Sequence, residues 1–150
     1  MESTSIQNGQ VLVFSQHRTT ALTINENEER LWEDIRVYLK KLAPPENRYL
    51  HNDLHHPDVP PDEPINAHSH LMAITLSTSE VIPVVEGRLG WGRWPSLLLL
   101  ELDGPRSRRV LVQVSGESIG DPQIGTCGNL AGSPVERGER VRAGHFSHNS

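Results

Sequence analysis

The chain has 150 residues, 35% of them hydrophobic, with 12 glycines, 11 prolines and a formal charge of −5. This length suits one domain with a real core, and the acidic balance excludes a general nucleic-acid binder, which needs a clustered basic face to neutralise phosphates. The longest apolar run, Leu97 to Leu100, is far too short to span a bilayer, and the single cysteine, Cys127, excludes an intramolecular disulfide framework. With no signal-like start, these features imply a cytoplasmic protein without membrane partners.

Residues 1–9 are polar and aperiodic and lead into a first strand, Val11-Leu12-Val13-Phe14, whose β-branched apolar run is too short for a helix. That strand delivers His17, Arg18, Thr19 and Thr20 to its end. Two hydroxyls, an imidazole and a guanidinium offer enough donors to receive an anion, and the same four residues also suit a solvated β-turn. Ala21 to Ile24 is a second extended piece. A helix is expected from Asn25, with Asn25 as cap and Glu28 in capping-box position. Leu31, Ile35, Tyr38, Leu39 and Leu42 recur on one helical face, Lys40 and Lys41 suit its negative end, and Pro44-Pro45 stops it. Asn25 and Glu26 either cap this helix or face a site that includes His17.

The stretch His51 to His70 holds five of the eight histidines together with Asp53, Asp58, Asp62 and Glu63. Imidazole nitrogens and carboxylates ligate zinc and similar divalent ions, and imidazole carries protons near neutral pH. A polar, Pro- and Asp-rich surface loop is the equal alternative. His51 and Asp53 are two apart, as are His68 and His70, so each pair shares a face only if its segment is extended.

Leu71 to Leu76 reads equally as a helical turn or a strand. Strands follow at Val81 to Val85, Leu89 to Trp94, Leu97 to Leu102 and Val110 to Val114, with turns at Glu86-Gly87 and at Asp103 to Arg106, and a meander of hairpins is expected. One main helix covering an antiparallel sheet gives an α+β domain. Residues 118–150 are Gly-, Ser- and Arg-rich without period and read as a disordered tail, with Cys127, His145 and His148 incidental.

Together, FSQHRTTALTINENEERL, RYLHNDLH, INAHSHLMA, TSEVIPVVEGRL and ELDGPRSRRVLVQVSGE resemble the YjbQ family, the secondary thiamine-phosphate synthases. The resemblance runs over about residues 6–117, which defines a YjbQ-like domain at 1–117. Family members begin with a further strand and helix that have no counterpart here, so the domain reads as N-terminally shortened. What the resemblance implies is a β-rich distorted sandwich, jelly-roll-like, with one main helix packed on it and assembled as a homotrimer. The implied activity is a transferase reaction of thiamine biosynthesis that joins a pyrimidine diphosphate to a thiazole phosphate and releases pyrophosphate. A metal- or phosphorylated-ligand-binding trimer without turnover and a metal-dependent hydrolase are the alternatives.

Carried over by residue, the family's histidines match His17, His51 and His70, expected to converge as catalytic residues and as ligands of a divalent metal, zinc or magnesium. His68 is shared with closer relatives. Glu26 joins the catalytic set, and Thr19, Thr20, Asn25 and Arg106 are expected to bind the phosphorylated substrate. Where the family has HTT, this chain has His17-Arg18-Thr19, and Gly92-Arg93-Trp94-Pro95 replaces GTWQ, a proline that suits an edge or bulge.

Overall fold

The run Leu97 to Leu100 is apolar at every position, so a strand built from it needs cover on both faces. The computed structural model describes residues 6–55, 57–60, 62–118 and 141–145, with Ser118 and the last five as backbone alone, and it places that strand centrally. The elements are β1 (Ile6–Ser15), β2 (Thr20–Glu26), α1 (Glu29–Leu42), a single 3-10 turn (Leu50–Asn52), α2 (Ala67–Ile74), β3 (Ser79–Val85), β4 (Arg88–Leu89), β5 (Pro95–Glu101), β6 (Val110–Ser118) and β7 (Val141–His145). One sheet has the order β4-β3-β1-β6 and the other β2-β5-β7. The α+β class and the antiparallel sandwich expected from the sequence are therefore present.

The meander is not. β5 leaves the sheet of β3 and β4 and pairs antiparallel with β2, where Leu97 and Leu99 turn to the first sheet and Leu98 and Leu100 to the helices. Between the sheets, Leu22 and Leu97 pack with Val13 and Ile82. On the other side of β5, Ala21, Leu98 and Leu100 pack with Trp32 and Leu39 of α1 and Met72 and Ala73 of α2. The result is three layers, sheet on sheet on helices.

Helix α1 begins later than the capping box implied. β2 keeps Asn25 and Glu26 in its ladder opposite Ser96 and Pro95, so they cannot enter the helix. Glu28 is the N-cap instead, and its carboxylate accepts from the Arg30 and Leu31 N–H groups at 3.1 and 3.0 Å. The buried stripe is also rotated. Trp32 and Leu39 face the core, whereas Tyr38 and Leu42, expected inward, are 60% and 48% exposed.

The undecided segment is helical, as α2. β3 and β4 are joined through Glu86 and Gly87, both at positive φ (50° and 74°), the two-residue turn whose twist suits a hairpin. β4 stops after Leu89, short of the expected Trp94, and Pro95 sits where a strand tolerates proline, at its first residue.

Within the segment read as a tail, Val141–His145 lies parallel to β5 as β7. Cys127 and His148 lie outside the described residues, and His145 is described by its backbone alone. No helix among the described residues is long and apolar enough to cross a membrane.

Candidate functional site

Strand registers bring four strand ends together at one end of the sandwich. Ser15 at the end of β1 lies opposite Val110 at the start of β6, and Thr20 at the start of β2 lies opposite Glu101 at the end of β5. The turn holding His17, Arg18 and Thr19 therefore meets the loop from Leu102 to Arg109, and α2 leans on the same loop through Ser69, whose hydroxyl donates to Leu102 O at 2.5 Å.

His51 and His70 are neighbours, with ring centroids 5.1 Å apart and planes at 88°. His51 comes from the 3-10 turn and stands 3.9 Å from Glu63. This turn is tied to α2 because Asn52 Oδ1 accepts the Ala67 N–H at 3.0 Å, satisfying a donor in the first turn of the helix. Burial holds the His70 pKa below its ordinary value. His51 and Arg18 push it the same way, against Asp103 and Glu63. His70 is thus a neutral imidazole at neutral pH.

His68, two residues away on the helix, faces elsewhere and is 3% exposed. Its Nε2 lies 3.1 Å from Ser69 Oγ. Since that hydroxyl spends its proton on Leu102 O, the His68 Nε2 is the donor.

The loop after β5 is fastened at two points. Asp103 Oδ2 accepts from Asn66 Nδ2 at 2.7 Å and from Arg106 Nη2 at 3.1 Å, while Arg106 Nε donates to Asp103 O at 2.8 Å. Asn66 is buried, and its Oδ1 has no hydrogen-bond partner among the described residues. Further along, Arg108 donates from Nε and Nη2 to the two Glu101 oxygens, the Nη2 contact measuring 2.6 Å, and from Nη2 to Thr19 Oγ1 at 3.0 Å. Glu101 also accepts the Asp103 N–H at 2.9 Å. Gly104 is required beside this pair, because a Cβ there would fall 2.4 Å from Glu101 Cγ.

His17 lies on this second flank. Its Nε2 accepts the Arg109 N–H at 2.7 Å. Burial first, then Arg108 and Arg109, lower its pKa against the opposing effect of Glu101. His17 is neutral at neutral pH, with its proton on Nδ1.

The expected site residues are only partly gathered. His51 and His70 meet, and Arg18 and Arg106 flank them. Thr19 reaches the loop, but its hydroxyl is committed to Arg108. Thr20, expected to bind substrate, is fully buried: it donates to His17 O at 3.2 Å and takes the Ser15 hydroxyl at 2.5 Å. Thr20 shapes the turn instead. Asn25 and Glu26 lie at the far end of β2, roughly 20 Å away at strand rise. Within one chain an extended strand keeps them out of the site.

The expected metal set does not fit either. Among the described residues no three His, Cys, Asp or Glu side chains stand where one metal ion could take them all, and Nε2 of His17 is already occupied by a backbone N–H. No catalytic step is therefore derived through a metal.

Reading by motif missed Glu101, Arg108, Asn66, Asn52 and Asp103. A signal for the first existed: a carboxylate inside the run Leu97 to Leu102 requires a buried partner, and cations follow within the next loop.

Fold and site together define a small two-sheet α+β protein that gathers two imidazoles, an anchored arginine and a buried arginine–glutamate pair at one strand end. The family model described as UPF0047 protein YjbQ-like matches residues 1–117, and the chain belongs to that family. A UPF0047 protein of Methanothermobacter thermautotrophicus is 43% identical over 117 residues, covering 78% of this chain and 76% of the relative. One from Archaeoglobus fulgidus is 45% identical over 107 residues, 71% of this chain and 78% of the relative. Among solved structures, a YbjQ-like protein of unknown function from Sulfolobus solfataricus superposes with a TM-score of 0.62 at 40% identity, over 73% of this chain and 72% of that one. A hypothetical protein from Aeropyrum pernix gives 0.65 at 38% identity, over 75% and 78%.

Proposed function

We propose that the chain is a transferase of the secondary thiamine-phosphate synthase type, joining a pyrimidine diphosphate to a thiazole phosphate and releasing pyrophosphate. The observation that carries this reading is the meeting of His51 and His70 at a strand end flanked by Arg18 and Arg106. The reaction forms a carbon–nitrogen bond and breaks a carbon–oxygen bond, and the pyrophosphate leaves with the electron pair. The anchored Arg106 and the nearby Arg18 offset that growing charge, and His70 donates a ring N–H hydrogen bond to the departing phosphate.

The working form is a homotrimer in the cytoplasm. Support for assembly comes from the outward face of the first sheet, where Phe14, Val81, Val85 and Leu111 are 38%, 52%, 53% and 39% exposed side by side. A phosphorylated-ligand-binding trimer without turnover is the second reading, favoured by the position of Glu26 at the far end of β2, where it supplies no catalytic carboxylate within the chain. A metal-dependent hydrolase would need the three-ligand set that the described residues do not assemble.

Pyrophosphate release tests the reading. The chain with both substrates should release pyrophosphate and form thiamine phosphate in equal amounts, and with the pyrimidine diphosphate alone it should release none. Release from the diphosphate alone would indicate hydrolysis, and tight binding without release would indicate the second reading.

A further inference from the structure

The pair Glu101 and Arg108 lies within the ELDGPRSRR stretch, yet the family resemblance gives neither residue a role, and the pair's chemistry is not absorbed by the site at His51 and His70. Side-chain exposure is 2% for Glu101 and 11% for Arg108. A buried ion pair contributes little to stability beyond what a well-packed apolar pair would. It does hold a guanidinium in one orientation, because Nε and Nη2 are both engaged by the carboxylate and Nη2 also by Thr19. The two N–H groups of Nη1 make no hydrogen bond with a described residue.

Next to it stands His17. The Arg109 N–H enters its Nε2 lone pair, so the neutral ring carries its proton on Nδ1 and presents a donor there. Arg108 and Arg109 are the two cations that act on this ring. Among the described residues Glu101 is the charge that opposes them, and that carboxylate is already engaged by Arg108 and by the Asp103 N–H. The unspent groups are thus all donors, and the exposed Arg109 leaves the local charge positive.

We infer that His17 and Arg108 form a subsite for a phosphoryl oxyanion, with His17 donating from Nδ1 and Arg108 from Nη1, both held in place by Glu101 and by the Arg109 backbone. A tetrahedral phosphoryl group suits the pair, since it offers separate oxygens to two donors that come from different loops. Arg106, expected for this task from the sequence, is the weaker candidate. Its Nε and Nη2 are spent on Asp103, and its side chain is 47% exposed. His17 accordingly acts as a neutral donor rather than as a metal ligand or a base. The inference rests on the reading that the substrates are phosphorylated, and it adds which residues hold the phosphoryl group.

Titration of the full chain with inorganic phosphate and with pyrophosphate, followed by the nitrogen resonances of His17, tests it. The expected results are an Nδ1–H tautomer in the free protein and a saturable shift of His17 on adding either anion. The double variant Glu101→Gln/Arg108→Gln keeps the pair hydrogen-bonded and removes its charges. Its affinity should fall about tenfold or more, while that of Arg88→Gln, at the opposite end of the first sheet, should stay within about twofold. An Nε2–H tautomer, an unmoved His17 at saturation, or unchanged affinity in a folded double variant would each overturn the subsite. If the double variant does not fold, the two wild-type His17 measurements decide alone. Anion binding at His17 without thiamine-phosphate formation would sink the proposed reaction and leave the subsite standing. Product formation unaffected in the double variant would do the reverse.

Discussion

Replacing Arg108 by alanine removes a guanidinium that holds both Glu101 oxygens and leaves that carboxylate 2% exposed beside leucines. Two charge-assisted bonds to Glu101 and one bond to Thr19 are lost. Breaking a buried pair from one side costs about 3–5 kcal/mol, most of it the penalty of an uncompensated buried charge rather than the worth of the bonds. Glu101→Gln/Arg108→Gln should therefore cost less than the two single replacements added together, since a glutamine pair keeps hydrogen bonds without burying charge. Urea unfolding at one fixed protein concentration is the assay, because any self-association would make stability depend on concentration. A loss within about 0.5 kcal/mol for Arg108→Ala, or strict additivity in the cycle, would refute the account of this pair.

Three other outcomes follow from the packing. The Glu28 carboxylate is held below its ordinary pKa, first by its side-chain bond to Arg30 and then by the N–H groups it caps. A depressed folded pKa stabilises above the unfolded value and is lost as pH falls through the folded one, so Glu28→Gln should lower the thermal midpoint at pH 7 and make no difference at strongly acidic pH. Leu98, fully buried between β2 and the helices, should cost about 2–5 kcal/mol when cut to alanine, read by the same urea assay. Val81→Lys, on the outward face of the first sheet, should leave the circular dichroism of the chain unchanged while reducing its assembly in sedimentation experiments, and an unaltered sedimentation profile would remove that face from the interface.

How much of this was legible in the sequence depended on whether the signal was local. The short apolar runs of β1 and β5 are properties of neighbouring residues, so the strands were readable, and Glu86-Gly87 named its own turn. Which sheet took β5 was not local: it followed from the need to cover both of its faces, which the helices and the first sheet together satisfy. The start of α1 was misread because Asn25 has good capping chemistry, yet the β2 ladder through Glu26 outcompetes it. In the site, His51 and His70 were picked out by motif and do meet. Glu26 was placed with them because it is near His17 in sequence, although a strand carries nearby residues apart at about 3.3 Å per residue. Arg108 was passed over for Arg106, since nothing in the order of DGPRSRR says which arginine turns inward; the buried Glu101 decides it.

In the proposed reaction, phosphorylated substrates react where His51 meets His70. The most direct measurement is thiamine-phosphate formation by the purified chain beside His51→Ala and His70→Asn. Expected are turnover in the wild-type chain and a loss of about a hundredfold or more in each variant, with folded variants confirmed by circular dichroism. Equal turnover in all three proteins would contradict it.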